Sequence, residues 1–431
     1  MASRLLPGND LVVSSTDQVQ SKTVCVVGAG IVGLATALSL QQANRKVILI
    51  DRLQPGTGTS AGNAGIFSAG SVFPEAMPGI WKEIPGMLLR PMAPVCIRPT
   101  YLPRFLPWLL KFLASSSVDS YLRATAAISA LSSRALEFYE PLFTATGAEH
   151  LIRRSGMFYV YETENAFVRA VALRGEHSGA TVDYEVLNGQ QLKDIEPKLR
   201  SGLAGAIFIP GAAYTVSPLG VSEAFYKLFL ERGGKFVQAE VAGFDAGNEK
   251  VSAVLADVRY ESDEVFVTAG AYSAKLARQL GHKVPLETER GYHLQLPQPE
   301  VELHNSLLFT ERGLGITPMK NGLRLAGTVE FGGLDAPANY RRAEILGEHG
   351  KALLPGLNTT GGQPWMGYRP SLPDSVPVIS SSPRFSNVYY GFGHGHLGLT
   401  QAAVTANMLV AMADGEDHVV DSQPYRIDRA W

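Results

Sequence analysis

The sequence predicts an α/β chain with an α+β second half: a Rossmann-like domain of the two-dinucleotide type, interleaved with a discontinuous antiparallel-sheet domain. Three observations carry this expectation. A strand, a glycine turn, a helix and a second strand follow one another from Thr23 to Asp51. A run of three strands later ends at Ala269-Gly270, and period-two segments follow it between Gly291 and Phe331. At 431 residues the chain is too long for one small core and suits two domains of ordinary size.

The first unit reads Thr23-Val-Cys-Val-Val-Gly28-Ala-Gly30-Ile31-Val32-Gly33, continues as an apolar helix, and ends in the strand Lys46–Asp51. Gly28 lets the chain turn sharply out of a buried strand, Gly30 leaves room for a pyrophosphate at the backbone, and Gly33 lets the helix press on the sheet. The diphosphate belongs at the positive N-terminus of that helix, around Ile31 and Val32. Asp51, 18 residues after Gly33, is placed to accept from adenosine ribose hydroxyls and disfavours a 2′-phosphate. FAD and NAD both fit this half of a site, so the choice must come from elsewhere.

Bulk properties narrow the partners. Hydrophobic residues make up 45% of the chain, the formal net charge is −2 and there are two cysteines, Cys25 and Cys96. No nucleic-acid partner is expected from that charge, and no disulfide framework or thiol-rich metal site from those cysteines, so the metal expectation is none. A reducing, cytoplasmic setting follows. Residues 1–21 mix Pro7, Gly8 and a polar run, without the roughly 7 to 15 consecutive apolar residues of a signal peptide, and read as a flexible arm. No stretch of about 18 uninterrupted apolar residues occurs, so no spanning helix is expected.

After Asp51 and Arg52 comes a loop of small residues that includes Thr59, Ser60, Asn63, Ala64 and Gly65. Its amides and hydroxyls are suited to closing over a cofactor. From Pro74 to Phe112 bulky apolar residues alternate with Lys82, Arg90, Arg98, Arg104 and Lys111. That mix suits packing on the other domain or peripheral contact of segment 74–113 with the inner face of a membrane, and both readings stand. Tyr121 to Phe143 reads as one amphipathic helix that packs in the core, through Ile128, Leu131, Ala135, Phe138 and Leu142.

A strand at 156–161, helices at 164–175 and 190–196, and a strand at 203–209 follow, then a helix from Pro218 to Arg232. Three strands at 235–244, 251–260 and 264–268 form a meander, with Val241 placed near the cofactor and Ala269-Gly270 at its end. A βαβ unit extended in this way points to FAD rather than NAD. Strands at 291–297, 307–310 and 323–331 alternate faces as an antiparallel sheet does. A helix from Arg341 to Leu354, Gly- and Pro-rich returns at 365–379 and 388–400, and a helix at 399–412 complete the chain. The FAD-binding domain is therefore expected to comprise 22–75, 203–290 and 365–431, and the substrate domain 76–202 and 291–364.

Five motifs stand in order: Gly28-Ala-Gly-Ile-Val-Gly33; Thr59-Ser60 with Asn63-Ala-Gly65; Gly291-Tyr292; Gly367-Tyr-Arg-Pro370 with Pro373-Asp-Ser-Val-Pro377; and Gly391-Phe-Gly-His-Gly-His-Leu-Gly-Leu-Thr400. Together they resemble the glycine and D-amino-acid oxidase superfamily of FAD enzymes, closest to its D-amino-acid dehydrogenase branch, over nearly the whole chain past Thr23. The resemblance implies that Arg369 holds a substrate carboxylate and that the loop carrying Gly395, Leu397, Gly398, Leu399 and Thr400 lies beside the flavin pyrimidine. The physics agrees, since arginine offers a planar fork of donors and a helix N-terminus at Gly398 favours negative charge.

Tyr214, Tyr292, His293 and His396, with His394, are the further candidates for the pocket. Successive strand residues point to opposite faces, so at most one of Tyr292 and His293 is expected to face the flavin. The chain lacks the histidine at 62–63 and the C-terminal cysteine through which some relatives tether FAD, so noncovalent FAD is expected. The implied function is oxidation of a small amino acid at the carbon beside nitrogen, through an imine to an oxo acid, with oxygen or a membrane quinone as acceptor. A secondary amino acid of sarcosine, proline or iminodiacetate type is the alternative substrate. A non-catalytic FAD-binding redox partner and an NAD dehydrogenase are the rivals of other classes.

Overall fold

The computed structural model describes residues 21–82, 84–89, 92–176 and 182–431, so the expected N-terminal arm up to residue 20, and Arg90, lie outside the described residues. The strand Thr23–Val27 is apolar on both faces because it is the third of six in a sheet covered on both sides. The sheet runs in the order Lys235–Gln238, Lys46–Asp51, Thr23–Val27, Glu264–Val267, Val388–Phe392, Val378–Ser381. Its first five strands are parallel and the last is antiparallel. On one face pack the helices Ile31–Gln42, Pro218–Glu231 and Gly398–Asp414, which share a core with Ile128, Leu131 and Phe143. The other face is covered by a three-stranded sheet, Gly243–Ala246, Val251–Leu255 and Arg259–Glu261, and the helix Ser273–Gln279.

The second sheet has nine strands among the described residues. Gln363–Ser371, Glu287–Leu296, Gly322–Phe331, Leu314–Met319 and Ser306–Phe309 run antiparallel in that order, then Met157–Tyr161 joins in parallel, followed by Gly205–Ile209 and Glu185–Asn188. Val95–Ile97 pairs in parallel with Gly322–Phe331. The helix Arg341–Leu353 closes this core through Leu346 and Leu353. A small sheet of Ile66–Phe67, Ala213–Thr215 and Ile152–Arg153 ties distant segments together.

Several expectations need correction. The 235–244 strand is two strands in two different sheets, because the chain leaves the parallel sheet after Gln238. The 203–209 strand pairs with Met157–Tyr161, so it extends the second sheet rather than the dinucleotide domain, and the strands 287–296 and 363–371 lie there too. The strand Leu314–Met319 was not anticipated. The single helix at 121–143 is two, Val118–Ser132 and Ala135–Thr146, broken at Ser133-Arg134. Its core role holds, since Ile128, Leu131 and Leu142 are buried.

Within segment 74–113, the helix Leu102–Ser115 packs with one face. Phe105 and Trp108 of the helix Leu102–Ser115 bury against Phe331, with the Phe105 and Phe331 ring centroids 4.4 Å apart. Leu106 and Leu110 on the other face, and Trp81 nearby in sequence, are exposed. No helix among the described residues is long and apolar enough to cross a membrane.

Candidate active site

A cavity of about 640 Å³ runs between the two sheets. At one end lie Gly28, Gly30, Ile31 and Val32, the start of a helix whose Gly30 N-cap supplies no side chain. Its amide dipoles therefore point into the cavity, with only the Ile31 N–H taken up, by Ser60 Oγ at 2.9 Å. Asp51 holds the turn: its Oδ2 accepts from Ala29 N at 2.7 Å and its Oδ1 from Leu53 N at 2.9 Å. Each oxygen keeps a further lone pair for a ribose hydroxyl. Arg52 stacks on Tyr272, its guanidinium 3.8 Å from the ring centroid, and both line this end beside Ala269 and Gly270.

The small-residue loop forms one wall through Thr59, Ser60, Asn63 and Ala64. Thr59 Oγ1 donates to the Tyr368 carbonyl at 3.0 Å and accepts from the Tyr368 amide at 3.2 Å, which joins the loop to the strand bearing Arg369. Arg324 reaches across from the second sheet and donates to the Ala61 and Asn63 carbonyls at 3.0 and 2.7 Å. Burial pulls its pKa down to about 10.

At the other end a second uncapped helix N-terminus, Gly398–Thr400, faces the cavity with Gly395, His396 and Leu397. Gly395 N donates to the Pro370 carbonyl at 2.7 Å, so this loop is fixed against the 367–370 motif. Arg369 is half-buried and lines the same end. Its guanidinium lies over Gly291, where a Cβ would approach Nε to 2.6 Å. Trp365 closes the wall between Gly62 and Gly367, two positions where a Cβ would collide with its ring.

Tyr292 lines the cavity but its hydroxyl is committed, donating to Glu330 Oε2 at 2.8 Å and accepting from Asn339 N at 3.1 Å. Glu330 in turn holds Arg290 and Arg98 at 3.0 Å each. His293 points away from the cavity: it stacks behind Trp365 at 4.9 Å and its Nδ1 faces the Gly62 carbonyl at 2.8 Å. Burial, aided by Arg324, pulls its pKa down to about 3, so it is neutral. His394 lines the cavity, but its Nε2 is engaged with Thr405 Oγ1 at 2.9 Å, and burial brings its pKa to about 3 as well.

Four other expected residues stand behind the walls. Tyr214 is buried in its strand with the hydroxyl on the His304 carbonyl at 3.3 Å, away from the cavity. Val241 lies in the connection between two sheets and packs with Val237 and Val254. Gly33 and Gly65 serve packing: a Cβ would come within 1.8 Å of the Gly28 oxygen and 2.8 Å of the Thr215 oxygen, respectively.

Sequence reasoning missed Glu75 and Glu289. Glu75 lines the cavity, its Oε1 is 3.2 Å from His396 Nδ1, and its amide donates to Ser375 Oγ at 3.1 Å. Glu289 is buried and sits directly across the strand pair from Arg369. A charged residue buried in a strand was the available signal. Ser68 and Ser71 also line the cavity and meet the Tyr159 hydroxyl at 3.3 and 2.8 Å. No cluster able to hold a metal ion occurs among the described residues.

The donor set fits FAD: two open helix N-termini, an acid at the ribose position, and a long channel whose glycine walls a Cβ would fill. The FAD dependent oxidoreductase family (DAO) matches residues 23–412. A D-amino-acid oxidase of Bradyrhizobium diazoefficiens is 33% identical over 94% of this chain and 98% of its own. A D-amino acid dehydrogenase of Granulibacter bethesdensis is 28% identical over 94% and 99%. Glycine oxidase from Geobacillus kaustophilus shares the fold with a TM-score of 0.72, at 19% identity over 95% of this chain and all of that one. With its cofactor channel and nearly its full length accounted for, the chain belongs to the DAO family of FAD-dependent oxidoreductases.

Proposed function

We propose that the chain oxidises an amino acid of D-configuration at the carbon beside nitrogen, with Arg369 holding the α-carboxylate and FAD held noncovalently. The carrying observation is Arg369 itself, half-buried and lining the same end of the cavity as the open helix N-terminus at Gly398. Two relatives bearing D-amino-acid names over almost their whole length support the substrate class. When bound, FAD supplies the acceptor for a hydride from the α-carbon. The protein binds and orients: Arg369 fixes the carboxylate with a bidentate fork, and Tyr292 and Trp365 wall the amine and side chain away from water. The resulting imine takes up water and yields an oxo acid and ammonia.

Glu75 and Glu289 beside Arg369 weigh against a second carboxylate on the substrate, and so against an iminodiacetate-like compound. The exposed Leu106 and Leu110, near Lys111 and Arg104 in sequence, favour peripheral contact with a membrane surface, and with it a quinone as acceptor over oxygen. Anaerobic addition of D-, L- and N-methyl amino acids while following flavin absorbance tests the reading. Bleaching by D-amino acids is expected, slow recolouring in air would mark a dehydrogenase, and a yellow protein that no amine bleaches would sink it.

A further inference from the structure

An amino acid reaches the cavity as an ammonium, and its α-carbon can release hydride only after nitrogen has lost a proton. The residues around Arg369 offer a place for that proton. Glu289 lies opposite Arg369 in the register of strands 287–296 and 363–371, so both side chains share one face of the sheet. Only 1% of Glu289 is exposed and no well-formed hydrogen bond holds either oxygen, although Ser371 and Glu75 face it. Glu75 stands in front of it at the cavity surface, with 42% of its side chain open, and touches the equally exposed His396. Three backbone ties assemble this group from separate segments: the strand register, Gly395 N on the Pro370 carbonyl, and Glu75 N on Ser375 Oγ.

We infer that Glu75 takes the proton from the substrate ammonium, with Glu289 as the buried partner behind it and the solvent-open side of Glu75 as the exit. This rests on the amino-acid reading above. An N–H bond of the ammonium breaks, its electron pair stays on nitrogen, and an O–H bond forms on Glu75. No oxidant takes part. The proton then leaves to water from the exposed side of the Glu75 carboxyl.

The electrostatics supply the direction. Burial, then the neighbouring Glu75 charge, pushes the Glu289 carboxyl up to about 8, against the pull of Arg369. Near neutral pH the two acids therefore carry one negative charge rather than two, and the Arg369 charge remains available to a substrate carboxylate. For Glu75, burial acts upward but is outweighed by His396, Arg369 and the Glu289 proton, which together hold its carboxyl below the ordinary range. A substrate carboxylate on Arg369 offsets one of those favourable charges and drives out water, so Glu75 gains proton affinity as the ammonium arrives. Glu287, two residues before Glu289 on the same strand, is kept apart by its bond to the Tyr101 hydroxyl.

The test uses holoenzyme and an amino acid that bleaches the wild type. Rapid-mixing rates of flavin reduction are measured across pH for wild type and Glu75→Gln, with bound FAD quantified for each. The expected Glu75→Gln rate is roughly a hundredfold lower near pH 7 and returns toward wild type once pH exceeds the pKa of the free amine. Parallel profiles, or no loss at all, would overturn the inference. Independently, binding of propionate, which has no amine, is followed by the flavin spectrum. Wild-type affinity should fall as pH rises through about 8, where Glu289 gains its charge, and should stay level in Glu289→Gln. Identical pH dependence in the two proteins would also overturn it. Failure of every amino acid to bleach the wild type would instead remove the underlying amino-acid reading.

Discussion

Gly291 and Arg369 fit together as a slot and its occupant: the guanidinium lies where a side chain at Gly291 would stand, with a Cβ there only 2.6 Å from Nε and 2.8 Å from Nη2. The glycine of the Gly291-Tyr292 motif thus sets where the arginine points. Gly291→Ala is expected to swing Arg369 off its line and raise KM by about tenfold to a hundredfold, the range for a displaced charged hydrogen bond. Thermal stability should change little, because the displaced atoms are the far end of a flexible side chain. Steady-state kinetics beside a melting curve check this, and an unchanged KM would show that the guanidinium finds the carboxylate by another path.

Gly33→Ala should act through the backbone instead. Its Cβ would meet the Gly28 oxygen at 1.8 Å and Thr268 Oγ1 at 2.8 Å, so the helix would have to lift from the sheet at the diphosphate site. A loss of about 3 kcal/mol and of tight FAD binding is expected, read by urea unfolding and by the flavin retained through purification. Full FAD content would contradict the packing role.

Arg324 ties the cofactor loop to the second sheet through the Ala61 and Asn63 carbonyls. Arg324→Met keeps the length and removes both charged bonds. FAD affinity should fall by about tenfold to a hundredfold, as for a loss of roughly 1.5 to 3 kcal/mol, while the apoprotein remains folded. Titration of apoprotein with FAD, followed by fluorescence quenching, gives the number; an unaltered Kd would mean that the loop holds its shape without this tie.

How much was legible in the sequence follows from which forces are local. Gly28, Gly30, Asp51 and Gly398 act within their own turn or strand, and each lies in the channel. Arg369 was reached through a motif. Glu75 and Glu289 were not, because their meaning comes from a strand register between residues 80 positions apart and from a loop on the opposite domain. Tyr214 and Val241 were placed at the site by their neighbourhood in sequence, yet strand pairing with Ile66 and Arg153 turns Tyr214 toward His304, and core packing claims Val241. Periodicity runs straight through Ser133-Arg134, yet one helix ends at Ser132 and a second begins at Ala135.

His293 and His394 give the fold an acid limb. Burial brings each pKa down to about 3, with Arg324 adding to the effect at His293, against an ordinary value of 6.5. Above about 6.5 both states are neutral and neither ring contributes. Below it the unfolded chain binds protons that the folded chain refuses until near 3, so stability falls as pH falls through that window, by up to about 1.4 kcal/mol per pH unit for each ring. Between pH 6.5 and pH 5 the two together should remove about 3 kcal/mol. His293→Gln keeps a donor for the Gly62 carbonyl and has no proton to gain, so its unfolding free energy should lose about 2 kcal/mol less over that interval than wild type. Urea unfolding at the two pH values measures the difference, and equal slopes would mean that His293 opens to water before it titrates.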